Sequence, residues 1–330
     1  MQLRGELGNH ISTIAHGYGI QLYALQNFNL ETNLILRHQV QPDGITSNPK
    51  WLPTSETLQQ CFHTFRDWDF SRGGTFEQQQ QVGKGLSNLE QKRMDLINGR
   101  HMNGMVYRDT DRQPIQERDI EIGIQEFINV LRKRDTVDTS LHSYSMDNNV
   151  LIDKYLQYFK TKFRIKESCC GDTRPFEDES VFHFRNFKTE MPNAKYTTLQ
   201  EVSPDQAADT LFGHLQKGDK LAITTRFHNE LVQEYERTLT ARGIQVRIIQ
   251  GNTGIQDFCF LLNAKKELIG NFQSTYVFWA AILGKSQKAV LYTLNTPSLQ
   301  NRYGQTINDR FLYQWENQEL RRRIFFKLIE

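Results

Sequence analysis

From Ser180 to Tyr292 the chain alternates strand-like and helix-like segments with almost no interruption, and this pattern restricts its fold more than any other. Short apolar runs at 180–187, 221–225, 245–249, 267–270 and 288–292 read as strands. Between them, patterns at 204–215, 228–241, 255–264 and 275–283 read as helices. Ser203 before Pro204 has the form of a cap followed by the first helical position, and Gly243 has the form of a helix stop. Such alternation predicts an α/β fold with a doubly wound parallel sheet. Ligands of such sheets sit at the carboxyl ends of the strands, where strand order reverses.

The first half is less regular. A short strand at 2–4, a helix over about 9–25 and a buried strand at 32–38 form a βαβ start. Ile11, Ile14, Ala15, Tyr18, Leu22 and Leu25 recur at helical spacing and predict one buried stripe. Residues 41–112 are polar and broken by Gly and Pro, which predicts long loops and short helices. Helices are expected at 120–131 and 150–163, and a linker at about 167–178. The expected domains are therefore 1–166, Rossmann-like with long loops, and 179–330.

Composition removes several function classes. A net charge of +2 gives no reason to expect nucleic acid or an anionic membrane as partner. No apolar run approaches the ~20 residues of a membrane span. Four cysteines in 330 residues are too few for a disulfide framework, and the pair Cys169-Cys170 reads as a loop or edge position. No Asn-x-Ser/Thr acceptor site occurs. The compartment stays open between the Golgi or ER lumen, for a trimmed eukaryotic enzyme, and the cytoplasm.

Four short motifs fall where the pattern places strand ends. Gly5-Glu6-Leu7-Gly8-Asn9 lies between a strand and a helix, where glycines permit a tight turn and free N–H groups can receive an anion. Its spacing is Gly-x-x-Gly and not the dinucleotide fingerprint; it is also compatible with a plain strand-to-helix turn. His183-Phe184-Arg185 ends a strand, and a guanidinium there suits a phosphate or diphosphate as well as a surface ion pair. Thr224-Thr225-Arg226 follows the next strand; Thr225 either lines the cleft or caps the helix after it. Last come Asp257 on a helix and Ile269-Gly270-Asn271-Phe272-Gln273-Ser274-Thr275-Tyr276, leading into Trp279-Ala280-Ala281. Ser274 and Thr275 at a helix start form either a phosphate cradle or an ordinary cap.

Taken together, these motifs resemble the fucosyltransferase superfamily, which includes α1,2-, α1,6- and protein O-fucosyltransferases. Its members open with Gly-x-x-Gly-Asn, matched by Gly5, Gly8 and Asn9, and carry His-x-Arg at a strand end, matched by His183 and Arg185. They end with an acidic residue and an Ile-Gly-Asn/Ser-x-x-Ser-Ser/Thr-Phe/Tyr segment, matched by Asp257, Ser274, Thr275 and Tyr276. The resemblance implies two Rossmann-like domains facing across a cleft (GT-B type), with the first domain on the acceptor side. It implies a nucleotide-sugar-binding set of Gly5, Gly8, Asn9, His183, Arg185, Thr225, Asp257, Ser274, Thr275 and Tyr276. Arg185 would grip the GDP diphosphate with Ser274 and Thr275, Asp257 would contact guanine, and Asn9 would lie near the fucose.

The implied reaction is inverting transfer of fucose from GDP-fucose to a hydroxyl of a glycan or protein acceptor, with no metal and no other cofactor. Asn9 and Arg185 are its expected catalytic residues. Two departures stand out. Asn186 follows Arg185 where many members carry a second Arg, and no acidic residue directly follows the motif. The general base is unassigned; Glu6, His10 and Glu190 are candidates by position. A non-catalytic nucleotide- or glycan-binding protein on the same fold is the alternative. A metal-dependent transferase would use Asp67-Trp68-Asp69 or Asp109-Thr110-Asp111, each of the Asp-x-Asp form.

Overall fold

The computed structural model describes residues 2–3, 7–32, 37–38, 55–63, 86–94, 117–133, 149–185, 202–272, 274–294 and 315–329. Backbone contacts group the chain into two compact units. The first runs to Arg164 and includes Trp315; the second begins at Ile165 and resumes at Glu316.

In the first unit, β1 (Gln2–Leu3) and β2 (Arg37–His38) pair in parallel, with α1 (Leu7–Phe28) as the crossover between them. Parallel neighbours need such a crossover, so the βαβ start is present. The single buried stripe expected on α1 is not what forms. Every residue from His10 to Ile20 is buried, including His10, Ser12, Thr13 and His16, while Leu25 is exposed. A helix covered on all sides is a central helix of its unit. Among the described residues four further helices follow: α2 (Ser55–Cys61), α3 (Asn88–Met94), α4 (Glu117–Leu131) and α5 (Asn149–Lys162). Helix α5 lies so close to α1 that a Cβ on Gly19 would meet Leu151 Cβ at 2.9 Å. Tyr23 Oη donates to Glu121 of α4 at 3.1 Å, and Lys154 of α5 pairs with Glu117 of α4 at 2.8 Å.

The second unit is a Rossmann-like α/β fold. Its strands are β3 (Glu179–His183), β4 (Lys220–Thr224), β5 (Gln245–Ile249), β6 (Glu267–Asn271), β7 (Lys288–Leu294) and β8 (Ile324–Ile329). All pairings are parallel, in the order β5-β4-β3-β6-β7-β8. Strand order therefore reverses between β3 and β6. Strand β7 was expected to be the last; β8 continues the sheet beyond it. It was hidden because α10 (Gln318–Arg323) runs into it without a turn, Ile324 being both cap and first strand residue.

Helices cover both faces. On one, α6 (Pro204–Thr210) and α7 (Glu230–Ala241) pack over Phe182, Leu221, Ile223, Ile269 and Val290. Phe182 meets Phe184, Phe212 and Tyr235 with ring centroids 5.9, 5.1 and 5.6 Å apart. Side chains alternate along a strand, so His183 and Gly270 face the other side. There α8 (Gly254–Leu262) and α9 (Thr275–Leu283) lie, and a Cβ on Gly270 would meet Val277 Cγ2 at 2.5 Å. Only glycine lets α9 come this close to β6.

Several boundaries differ from expectation for local reasons. Helix α6 ends at Thr210 and the chain then turns through Gly213, where a Cβ would meet Asp209 O at 2.5 Å. Helix α7 begins at Glu230; its cap is Asn229, which accepts from Val232 N at 3.1 Å, and not Thr225. Gly243 does end α7, at φ 82°. Residues 167–178 are folded into the second unit, where Arg174 Nη1 donates to Cys170 O at 3.2 Å and Arg247 Nη2 donates to Arg174 O at 3.0 Å. Cys170 is bonded to Cys259 of α8, with Cα atoms 5.3 Å apart. Four cysteines were too few to be read as a disulfide framework, yet this bond forms. The partners are 89 residues apart, so their spacing could not show that the fold brings them together.

Candidate functional site

At the amino ends of the strands, buried charge is paired. Glu179 receives Arg247 Nε at 2.9 Å, and Glu267 lies 2.7 Å from both His214 Nε2 and Lys288 Nζ. These are structural pairs that let carboxylates sit inside the unit.

The carboxyl ends are arranged differently. β3 ends in His183, whose register partners are Thr224 of β4 and Gly270 of β6. The His183 ring stacks against Tyr276 of α9, with centroids 5.3 Å apart and planes 32° apart. Its Nδ1 is sealed from solvent and has no hydrogen-bond partner. Burial, then the charges of Arg185 and Arg226, push the imidazole pKa down to about 3. The ring is therefore neutral at pH 7, and the positive charge beside it belongs to the guanidiniums.

Tyr276 also joins the two helices that start here. Its hydroxyl donates to Gly254 O at the first residue of α8, and its ring meets Phe258 at 5.1 Å. The start of α8 is closed by a capping box: Gln256 N donates to Thr253 Oγ1 at 3.3 Å and Thr253 N to Gln256 Oε1 at 2.9 Å. Asp257 follows in the first turn, buried, and accepts from Asn252 Nδ2 at 2.9 Å.

The start of α9 is not closed in this way. Ser274 occupies the cap position but makes no side-chain cap bond. Its Oγ is buried without a partner, and the first turn of α9 contains no acidic residue. The ordinary cap, one of the two sequence readings, is absent. A second buried hydroxyl without a partner, Ser286, lies before β7 at the other end of the sheet, so an orphan hydroxyl alone marks no site. Ser274 differs by standing at a helix N-terminus, two residues from the ring stacked on His183.

Thus His183, Arg185, Asp257, Ser274, Thr275 and Tyr276 come together at the carboxyl ends of β3 and β6 and the adjoining helix starts. Thr225 is there too, at the end of β4, but its hydroxyl is engaged: it donates to Phe227 O at 3.0 Å and accepts from Phe227 N at 3.3 Å. Gly8 and Asn9 belong to the first unit and lie inside α1, which begins at Leu7, rather than in a turn ahead of it. Gly5, Glu6, Asn186 and Glu190 lie outside the described residues, as do Asp67, Asp69, Asp109 and Asp111. Among the described residues no cluster of three or more His, Cys, Asp or Glu is placed to hold a metal, and no helix is long and apolar enough to cross a membrane.

One contributor escaped the sequence reading: Asn252 fixes Asp257, and nothing in a loop Asn signals that. Arg226, quoted in the Thr224-Thr225-Arg226 motif without a role of its own, helps Arg185 and burial to lower the His183 pKa. No family model, curated protein or solved structure matches this chain.

Proposed function

We propose that this protein is a nucleotide-sugar glycosyltransferase that transfers fucose, with inversion, from GDP-fucose to an acceptor hydroxyl on a glycan or protein. The observation that supports this reading is the convergence of Arg185 with the unclosed start of α9 at the strand-order reversal, where Ser274 keeps a buried hydroxyl without a partner. A helix N-terminus carries partial positive charge and free N–H groups, which suit a phosphate. In the reaction the bond between the sugar carbon and the diphosphate oxygen breaks as the acceptor oxygen attacks from the opposite face, and the proton of the acceptor hydroxyl is released to solvent. Arg185, Ser274, Thr275 and the α9 dipole stabilise charge developing on the departing GDP. Asp257 holds the guanine edge, and Asn9 faces the sugar. The reading carries with it the GT-B arrangement of two domains, with the first unit on the acceptor side.

A thermal-shift screen with GDP, UDP, GDP-fucose and NAD⁺, each with and without Mn²⁺, tests it. The expected result is a selective, metal-independent rise with GDP. At a ligand concentration about 100 times Kd the native state gains about 2.7 kcal/mol. Arg185→Ala is expected to lower GDP affinity about ten- to a hundredfold, the range of a hydrogen bond to a charged group. No response to GDP, or a Mn²⁺-dependent response to UDP, overturns the reading. GDP binding without turnover of GDP-fucose leaves a binding protein in its place.

A further inference from the structure

We propose that Asn252 is a positioning residue that sets the base specificity of the candidate site. By holding Oδ1 of Asp257 it fixes the carboxylate for a purine that carries two adjacent N–H donors, as guanine does. This deepens the nucleotide-sugar reading and rests on it. Asn252 lies in the loop between β5, which ends at Ile249, and α8, which begins at Gly254. The loop leaves the sheet at the carboxyl ends of the strands, where Thr225 N donates to Ile249 O at 3.1 Å. Asn252 Nδ2 donates to Asp257 Oδ1 at 2.9 Å. Of the two ends of an amide, only the nitrogen can donate to a carboxylate oxygen, so Asn252 is the donor of the pair.

This bond is not what closes the helix start. Thr253 and Gln256 close α8 between themselves by a capping box, and Asp257 N donates to Thr253 O at 3.0 Å as a helix backbone does. The Asp257 carboxylate is buried in the same first turn without serving as the cap. Phe258, the next residue, meets the Tyr276 ring at 5.1 Å, and that ring stacks on His183 at 5.3 Å, so Asp257 belongs to the helix start that adjoins the strand-order reversal. The last side-chain torsion of an Asp is broad, so an unsupported carboxylate has no single plane. A hydrogen bond to one oxygen sets that plane. Each carboxylate oxygen has about two acceptor sites, so Oδ1 accepts from Asn252 and retains the capacity for a ligand N–H. With its plane set, the carboxylate offers paired acceptors to the ring N–H and the exocyclic amine of guanine. A site built to bond a particular N–H rejects the analogue that lacks it.

The experiment titrates GDP and IDP into the whole chain and into N252A and N252D by calorimetry. IDP keeps the ring N–H and the diphosphate and lacks only the exocyclic amine. The original chain is expected to bind GDP at least about tenfold more tightly than IDP. N252A is expected to weaken GDP about tenfold and IDP less than about threefold, so the ratio between them collapses. N252D keeps the shape but sets a second carboxylate against Asp257, and is expected to collapse the ratio as well. A GDP-to-IDP ratio that N252A leaves unchanged overturns the proposal, whether both affinities hold or both fall together; a joint fall is the mark of a residue that only supports the fold. Equal binding of GDP and IDP by the original chain overturns it too. If N252A does not fold, N252D alone decides, and a ratio equal to that of the original chain overturns the positioning role. If the original chain binds no GDP, the nucleotide-sugar reading itself fails, and the role of Asn252 with it.

Discussion

His183 couples the site to acidity. Its pKa in the folded chain, about 3, lies below the ordinary histidine value of 6.5. Below about pH 6.5 the unfolded chain takes up a proton that the folded chain refuses, so stability falls as pH drops from about 6.5 toward 3, by at most about 1.4 kcal/mol per pH unit. His183→Gln is expected to remove one proton's worth of that slope in urea unfolding measured at pH 4 to 7. An unchanged slope would show that the ring is not held neutral. Ser274 gives a second test, because two explanations of it diverge. As a helix cap, its replacement by Ala would cost about 1 kcal/mol. As a buried hydroxyl without a partner, its loss leaves stability unchanged or higher, since an unsatisfied buried group costs about 1–3 kcal/mol. We expect Ser274→Ala to keep or raise the melting temperature while weakening GDP. A lower melting temperature with unchanged GDP binding would make it a plain cap. The types and positions of these residues were legible in the sequence; their states were not. Nothing in the letters says that Ser274 leaves its helix uncapped, or that Thr225 is bonded to Phe227, because both depend on where a rotamer settles after the chain has folded.

Helix α9 is positioned at both ends, and each end is testable. Near its start, Gly270 admits Val277 at a distance no other residue permits. Gly270→Ala is expected to destabilise the second unit by about 1–3 kcal/mol through overpacking. Pairing it with Val277→Ala is expected to recover much of that loss, since the clashing methyls are then gone; denaturant midpoints of the two single variants and the double variant decide. At its far end, the buried Arg323 donates to Ala281 O at 2.6 Å and to Ile282 O at 3.0 Å, placing a cation on the helix's negative pole. Elements of this sheet were readable where their period was clean: strand 245–249 and helix 275–283 have the expected bounds. Where tertiary contact decides, the period misleads. Helix α1 buries His10 and His16 along with its apolar residues, and β8 has no turn residue ahead of it to announce a new element.

At the scale of the molecule, the Cys170–Cys259 bond closes a loop of about 90 residues, for which chain entropy predicts about 4–5 kcal/mol of stabilisation. Cys259→Ala is expected to lose an amount of that order in chemical unfolding, and a variant as stable as the original chain would show that the bond contributes nothing. A bond of this kind persists in oxidising compartments. His183 and Thr224 show why the site was not visible beforehand: residues 41 positions apart become neighbours only through the register of β3 and β4. The same disulfide makes part of this chain a covalent ring. Inside it lie β3, β4, β5 and the residues His183, Arg185, Arg226 and Asp257; outside lie β6, α9, Ser274 and Tyr276. A protease that cuts once within the ring opens it without dividing the molecule, and the two pieces still migrate as one on a non-reducing gel. A single cut between Cys259 and Ser274 separates the two halves of the candidate site outright. Limited proteolysis run with and without reductant thus distinguishes a cut within the ring from a cut between Cys259 and Ser274.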